Sequence, residues 1–173
     1  MTPWISKKQI SIIESYLEDK DVMLEYGSGG STLHFSKFVK KYVSIEHDIY
    51  WLESVKKLIP TNVELHYCPP NNPIKLPVWK GNEEDFKDYI NCVDKLNLKY
   101  DVVLVDGRCR KSCSLKVLKY LNESSIVFIH DFFERKRYHG ILDYYEVIEK
   151  DMGGKEIIGG MKGAASLAIL KKK

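Results

Sequence analysis

What the chain lacks narrows its reading before any motif does. No apolar run in its 173 residues approaches the ~20 that a membrane helix needs, so no membrane association is expected. The start, Met1-Thr2-Pro3-Trp4, has neither the basic residues nor the apolar stretch of a secretory leader. A cytoplasmic protein is the default. Only four cysteines occur, Cys68, Cys92, Cys109 and Cys113, in a spacing that matches neither a zinc pattern nor a CxxC redox pair. Cys109 and Cys113 share a helix face but cannot build a tetrahedral site without partners elsewhere, so all four read as reduced, structural thiols. Disordered composition is confined to Lys171-Lys172-Lys173, and neither repeat nor linker divides the chain. What remains is a single domain over 1–173, ordinary in composition at 44% apolar and 29% charged, and long enough to bury a core.

The formal charge is only +3, but it is unevenly spread. Between Gly107 and His139, Arg108, Arg110, Lys111, Lys116, Lys119, Arg135, Lys136 and Arg137 outweigh Glu123, Asp131 and Glu134. Helical and strand patterns alternate along the chain. Ser6-Lys7-Lys8-Gln9 is a capping box opening a helix to about Lys20. Val22–Glu25, Tyr42–Glu46 and Asn62–Tyr67 read as strands. Helices follow Gly30 and Asp48, the latter carrying Trp51, Leu52, Val55, Leu58 and Ile59 at helical spacing. Asn82 caps a helix with Glu83-Glu84-Asp85 in its first turn. The unbroken runs Val102–Val105 and Ile126–Ile129 suit central strands covered on both faces. Helices are expected over about Lys111–Leu121 and Arg135–Lys150. Glu156–Gly160 and Ser166–Leu170, closely linked, read as an antiparallel pair. The expected architecture is a three-layer α/β sandwich of Rossmann-like kind: a seven-stranded, mostly parallel sheet ending in an antiparallel hairpin.

In such sheets ligands bind beyond the carboxyl ends of the strands. Those ends are Glu25-Tyr26-Gly27, Glu46-His47-Asp48, Tyr67-Cys68-Pro69, Asp106-Gly107-Arg108 and His130-Asp131-Phe132, more charge than a sheet built for stability alone needs. Gly27 and Gly29 let the backbone turn and approach a ligand. Ser31 and Thr32 open a helix whose free amides suit an anion. A dinucleotide cradle wants a third glycine where Thr32 stands, and no acid at Glu25, beside a pyrophosphate. These two residues disfavour a nicotinamide-dependent dehydrogenase and suit a ligand carrying an ammonium and a carboxylate. Glu46 follows Gly27 by 19 positions, near the ~20 expected of an acid on ribose hydroxyls. An amino acid joined to a nucleoside satisfies both requirements, and S-adenosylmethionine is the common cofactor of that shape.

At these residues the chain resembles the class I S-adenosylmethionine-dependent methyltransferases over nearly its whole length. The likeness rests on Glu25-Tyr26-Gly27-Ser28-Gly29 as the acid-x-Gly-x-Gly signature, Glu46 as the ribose acid, Asp101–Asp106 as the fourth-strand motif, and the terminal hairpin. The wording Ile45-Glu46-His47-Asp48 and Ile129-His130-Asp131-Phe132-Phe133 is similar to small stand-alone methyltransferases of microbes, algae and their large viruses, some of which act on sugars. For a viral chain the cytoplasm would be the host's. The resemblance implies that Glu25, Gly27 and Gly29 line the methionine part, with Tyr26, Ser28, Ser31, Thr32 and Asp106 completing the cofactor site. It further places Glu46 on the ribose, His47 near the adenine, and Tyr67–Pro69 at the adenine edge.

Oxygen is the expected acceptor, since no Asn-Pro-Pro-Tyr-like amine motif or catalytic Pro-Cys pair is present. Asp106 and Asp131 end adjacent central strands. Magnesium-using small-molecule O-methyltransferases place acids at the same two ends, but follow the second with Asn or Asp where this chain has Phe132. A metal-free site is favoured, with Asp106 or His130 as general base and Asp131 as orienting acid. If magnesium or manganese bound, Asp106 and Asp131 would hold it. The basic residues flank the same sheet edge. They are either a solvated charge run or a site for an anionic acceptor such as a phosphate-bearing sugar, a nucleotide-sugar or nucleic acid. Arg108, Arg135, Tyr138 and Trp79, the last in the loop 69–81, are candidate substrate contacts. Trp4 and Trp51 read as core or rim packing. The expected activity is methyl transfer to a hydroxyl of a small or carbohydrate acceptor, anionic acceptors included. RNA or nucleotide methylation is the alternative, favoured only by the basic rim. A non-catalytic cofactor-binding subunit is a third reading, and a homodimer would be one way to complete the pocket.

Overall fold

A computed structural model describes residues 1–72, 81–154, 157–158, 161–162 and 165–173. Seven strands form one sheet: β1 (Val22–Tyr26), β2 (Lys41–Glu46), β3 (Val63–Tyr67), β4 (Tyr100–Val105), β5 (Leu121–His130), β6 (Tyr145–Asp151) and β9 (Leu167–Lys172). Their order is β3-β2-β1-β4-β5-β9-β6. The first five are parallel, and β9 runs antiparallel between β5 and β6. This is the expected seven-stranded Rossmann-like sheet. Its order reverses between β1 and β4, which opens a crevice at their carboxyl ends.

Strand alternation divides the core into two layers. Leu24, Tyr26, Val43, Val103, Val105, Val127 and Ile129 point to one side. There they meet Tyr89 of α4 (Lys87–Asn91), Cys113 and Val117 of α5 (Arg110–Val117), and Phe86. Met23, Tyr42, Val102, Leu104, Ile126 and Phe128 point to the other side, against Ile13 of α1 (Lys7–Glu14) and Phe35 of α2 (Gly30–Phe35). The period of two carries to the strand tips. Glu25, Ser44, Glu46, Asp106 and His130 all have the parity of the second layer.

The capping box forms: Ser6 Oγ accepts the Gln9 N–H at 3.1 Å and Gln9 Oε1 accepts the Ser6 N–H at 3.3 Å. The helix it opens stops at Glu14 rather than Lys20. Asp48 caps α3 (Ile49–Lys56) as expected, accepting the N–H groups of Tyr50 and Trp51. Asn82 caps only a turn, accepting from Glu84 and Asp85; the helix itself waits until Lys87. The helix expected over Arg135–Lys150 is absent. Lys136–Asp143 is 3-10 helix and Tyr145–Asp151 is the edge strand β6. Only the two ends of β6 are buried, so it shows no in–out alternation to read. The segment expected to be strand six supplies only β7 (Ile157–Ile158), paired with β8 (Met161–Lys162) in a separate ribbon. Glu156, Gly159 and Gly160 lie outside the described residues. Among the described residues no helix is long and apolar enough to cross a membrane, and all four cysteines are free thiols.

Candidate active site

At the crevice between β1 and β4 lies a cavity of about 330 Å³, within the range of roughly 300–1,000 Å³ typical of small-ligand sites. Gly27 to Ser31 form its floor, and Glu46, His47, Asp48, Trp51 and Asp106 stand around it. Gly27 adopts φ +98°, where a side chain is strained. A Cβ there would also fall 2.8 Å from the Gly107 Cα. The two loops touch backbone to backbone, which is why glycine stands in each.

Glu46 is buried, and its carboxylate ties the loops together. Oε2 accepts the Ser28 N–H at 2.6 Å, and Oε1 accepts those of His47 and Asp48 at 2.8 Å each. A carboxylate has about four acceptor positions, so Oε2 keeps one that no described residue uses. Asp48 lines the same cavity and uses Oδ1 for its helix cap, while its Oδ2 has no hydrogen bond among the described residues. This second acid was not foreseen at the cavity, because its capping role already explained it. The His47 ring packs edge-on against Phe86 and Tyr89, 5.3 Å from each, and forms part of the wall.

Other expected cofactor residues sit elsewhere. Glu25 is fully buried and lines neither main cavity. Its carboxylate accepts hydrogen bonds from the Ser31, Thr32 and Ser44 hydroxyls. Burial raises its pKa to about 7 despite those donors. Thr32 is buried as well, and its Oγ1 also accepts the Gly29 N–H at 2.9 Å. Glu25 and Thr32 thus shape the turn from beneath. Tyr26 points into the opposite layer, donating to the Ile90 carbonyl at 2.8 Å. Tyr67–Pro69 is fastened to β2 through the Cys68 N–H on the Glu46 carbonyl but lines neither main cavity. Trp51 donates its indole N–H to the Ser28 carbonyl, and Trp4 packs edge-on against it with ring centroids 5.5 Å apart. Both are walls of the cavity, as the rim reading expects.

Asp106 and His130 are neighbours across β4 and β5, one step beyond the register pair Val105–Ile129. His130 Nδ1 lies 2.9 Å from Asp106 Oδ1. Burial pushes the Asp106 carboxyl upward, but the His130 and Arg110 charges outweigh it and hold the pKa below the usual value. Burial likewise lowers His130, and Asp106 reverses this to a net rise. Asp106 faces the cavity. His130 stands behind it, with Nε2 buried and without a hydrogen-bond partner among the described residues. Asp131 lines neither cavity. It adopts φ +57° and accepts from Arg135 at 2.8 Å.

The residue that joins these groups is Arg110. Its Nε donates to the Gly107 carbonyl at 3.1 Å, Nη2 to the Asp106 carbonyl at 2.8 Å, and Nη1 to the His130 carbonyl. Its guanidinium also sits 3.1 Å from both Asp106 Oδ1 and Asp131 Oδ2. A cation already bridges the two acids that would hold a metal if one bound. Among the described residues no group of three or more His, Cys, Asp and Glu side chains converges as a ligand set. The donor set therefore does not fit a divalent metal.

A second cavity, of about 500 Å³, adjoins the first through Gly107, Arg108 and Arg110. Arg108, Arg135 and Tyr138, expected as substrate contacts, all line it, together with Lys111 and Arg137. Arg108 also lies over the Phe86 ring, 5.9 Å from its centroid. Trp79 lies outside the described residues.

The fold is the Rossmann-like methyltransferase fold. A methyltransferase-like protein of Silicibacter pomeroyi superposes with a TM-score of 0.72 at 23% identity, over 97% of this chain and 87% of that one. An rRNA methylase of Streptococcus thermophilus gives 0.62 at 12% identity over 95% and 94%. A Streptococcus mutans protein in complex with SAH gives 0.61 at 12% over 98% and 100%. No protein-family model and no curated protein matches the sequence.

Proposed function

We propose that this protein transfers a methyl group from S-adenosylmethionine to a hydroxyl of a small or carbohydrate acceptor. The observation that carries the reading is the pair of cavities meeting at Gly107, Arg108 and Arg110, with Asp106 at the first. The free acceptor position on Glu46 Oε2 and the open Oδ2 of Asp48 suit the two ribose hydroxyls. The Gly27–Ser31 floor suits the amino-acid part. That a similar fold holds SAH supports the same assignment.

When bound, S-adenosylmethionine supplies an electrophilic methyl on a positively charged sulfur. The chain's share is to place a nucleophile in line with it and to take away a proton. Alignment of two held reactants provides most of the rate in such a step. Asp106 accepts the acceptor's hydroxyl hydrogen at the junction of the cavities, and His130 steadies it from behind. Held below its usual pKa, Asp106 is a weak base alone; the neutral form of His130 gives the pair the capacity to take the proton. Arg110 fixes both strand ends so that the pair keeps its geometry.

Calorimetric titration with S-adenosylmethionine and with NAD is the first test. Tight NAD binding without S-adenosylmethionine binding would overturn the assignment. A screen of sugars, nucleotides and RNA with labelled methyl donor then identifies the acceptor. RNA methylation is the second reading, favoured by the basic lining of the larger cavity and by the likeness to an rRNA methylase.

A further inference from the structure

The residues before α1 form a strap at the first cavity, fixed at both ends. At one end Ile5 is buried in the second core layer with Ile13 and Phe35. Ser6 caps α1 behind it, and the buried Gln9 donates from Nε2 to Asp151 Oδ2 at 3.0 Å and to the Ala165 carbonyl at 2.6 Å. At the other end the backbone of Thr2 and Pro3 lies on Gly30. A Cβ on Gly30 would fall 2.2 Å from the Thr2 carbonyl carbon and oxygen and 2.5 Å from the Pro3 nitrogen, so α2 can begin under the strap only with glycine there. Between these fixed points stands Trp4. It lines the cavity with Gly27 to Ser31 and Trp51, yet it is 51% exposed, against 3% for Ile5. Core packing therefore does not account for an indole at position 4. Trp51, which Trp4 meets edge-on, is itself held over the floor by its N–H on the Ser28 carbonyl. The two indoles border the part of the cavity that suits the amino-acid end of the cofactor.

We propose that Trp4 is a cofactor-binding residue, held beside Trp51 by the strap so that the pair presents an aromatic wall to the positively charged methionine part of S-adenosylmethionine. An indole face attracts a cation within about 6 Å of its centroid, a gain of about two- to thirtyfold in affinity. The sulfur loses its positive charge when the methyl leaves. The wall therefore holds the methyl donor more tightly than the demethylated product, S-adenosylhomocysteine, and eases product release. The inference rests on the methyl-transfer reading, and binding measures it without turnover.

The test titrates the full chain with S-adenosylmethionine and with S-adenosylhomocysteine by calorimetry, in the parent protein, Trp4→Leu and Trp4→Phe. Leucine keeps an apolar cover without an aromatic face; phenylalanine keeps the face. Trp4→Leu should weaken S-adenosylmethionine binding by about fivefold or more and S-adenosylhomocysteine binding by no more than about twofold, while Trp4→Phe stays within about threefold of the parent for both. Melting temperatures without ligand should match the parent, because the indole is half-exposed. Trp4→Leu binding both ligands as the parent does, or losing both equally, would overturn the proposal. So would Trp4→Phe as weak toward the donor as Trp4→Leu. A parent protein that binds neither ligand would overturn the methyl-transfer reading together with this inference, whereas normal parent binding with an indifferent Trp4→Leu overturns this inference alone.

Discussion

Gly27 and Gly29 belong to one sequence signature, yet the structure assigns them different work, and alanine at each separates the two. At Gly27 the backbone has φ +98°, and a Cβ would meet the Gly107 Cα at 2.8 Å and its N at 2.9 Å. Gly107 cannot retreat, because the Tyr89 hydroxyl lies 2.1 Å from where its own Cβ would be. The loops are also pinned, Gly27 N–H to the Ile45 carbonyl at 2.9 Å and Asp106 N–H to the Tyr26 carbonyl at 3.1 Å. Left-handed strain costs about 1–2 kcal/mol and overpacking about 1–3 kcal/mol. Gly27→Ala should therefore lose about 2–5 kcal/mol, which for a domain of this size lowers the melting temperature by about 5–15 °C. At Gly29 the backbone is extended, with φ 173°, and a Cβ meets only the Trp51 side chain, at 3.3 Å from Nε1. Its stability cost should stay within about 1 kcal/mol, while the methyl group intrudes on the cavity and weakens S-adenosylmethionine binding at least tenfold. Urea unfolding without ligand and calorimetric titration give the two readouts. A Gly27→Ala protein as stable as the parent, or a Gly29→Ala protein less stable than Gly27→Ala, refutes the division.

Glu25 has a folded pKa of about 7 against an ordinary value of 4.5. The folded state then holds the extra proton between those values, and stability falls as pH rises through that window. Glu25→Gln should flatten the urea midpoint between pH 5 and 8 and gain up to about 3 kcal/mol at the upper end; an unchanged slope would show that Glu25 ionises normally. Asp106→Asn should reduce methyl transfer by about 10²–10⁴-fold with S-adenosylmethionine affinity held within about tenfold. A parent protein that binds the cofactor but methylates nothing would be a non-catalytic subunit. Methyl transfer should persist in excess chelator, because Arg110 already bridges Asp106 and Asp131; loss of activity restored by magnesium would refute this. Arg110→Lys should destabilise by about 2–4 kcal/mol, since an ammonium cannot reproduce a planar fork of donors. Melting temperature checks it, and a shift under 1 °C would mean the clamp contributes nothing.

The sheet was readable because its central strands are buried on both faces and announce themselves as unbroken apolar runs, Val102–Val105 and Ile126–Ile129. Edge strand β6 was not. Tyr145-Glu146-Val147-Ile148-Glu149 buries only its first residue, and its spacing passes equally for the exposed side of a helix. Among the site residues, Glu46 was legible by its distance from Gly27. Glu25 was legible as part of a motif but not in its role. Whether a strand-end acid faces a ligand or the layer beneath depends on which hydroxyls the next strand supplies, here Ser44 beside Ser31 and Thr32. The Asp106–His130 pair was within reach, since Asp106 follows β4 and His130 ends β5, in register and with the same parity.

Arg110 is the residue whose importance no local pattern could reveal. In the sequence it is one of a run of basic residues beside Arg108 and Lys111, and a solvated helix start explains it as well as anything. Its meaning comes from topology. Placing β4 next to β5 sets two acids and three carbonyls around one point, and that point lies one helical turn from the Asp106 carbonyl, within reach of position 110. Two neighbouring carboxylates in a part-buried site repel unless a cation stands between them. A dication would leave open coordination positions for an acceptor, whereas a guanidinium ends in donors already satisfied by carbonyls and carboxylates. The choice of arginine therefore leaves the acid pair with its charges already met, while the adjoining cavity keeps the basic lining of Lys111 and Arg137.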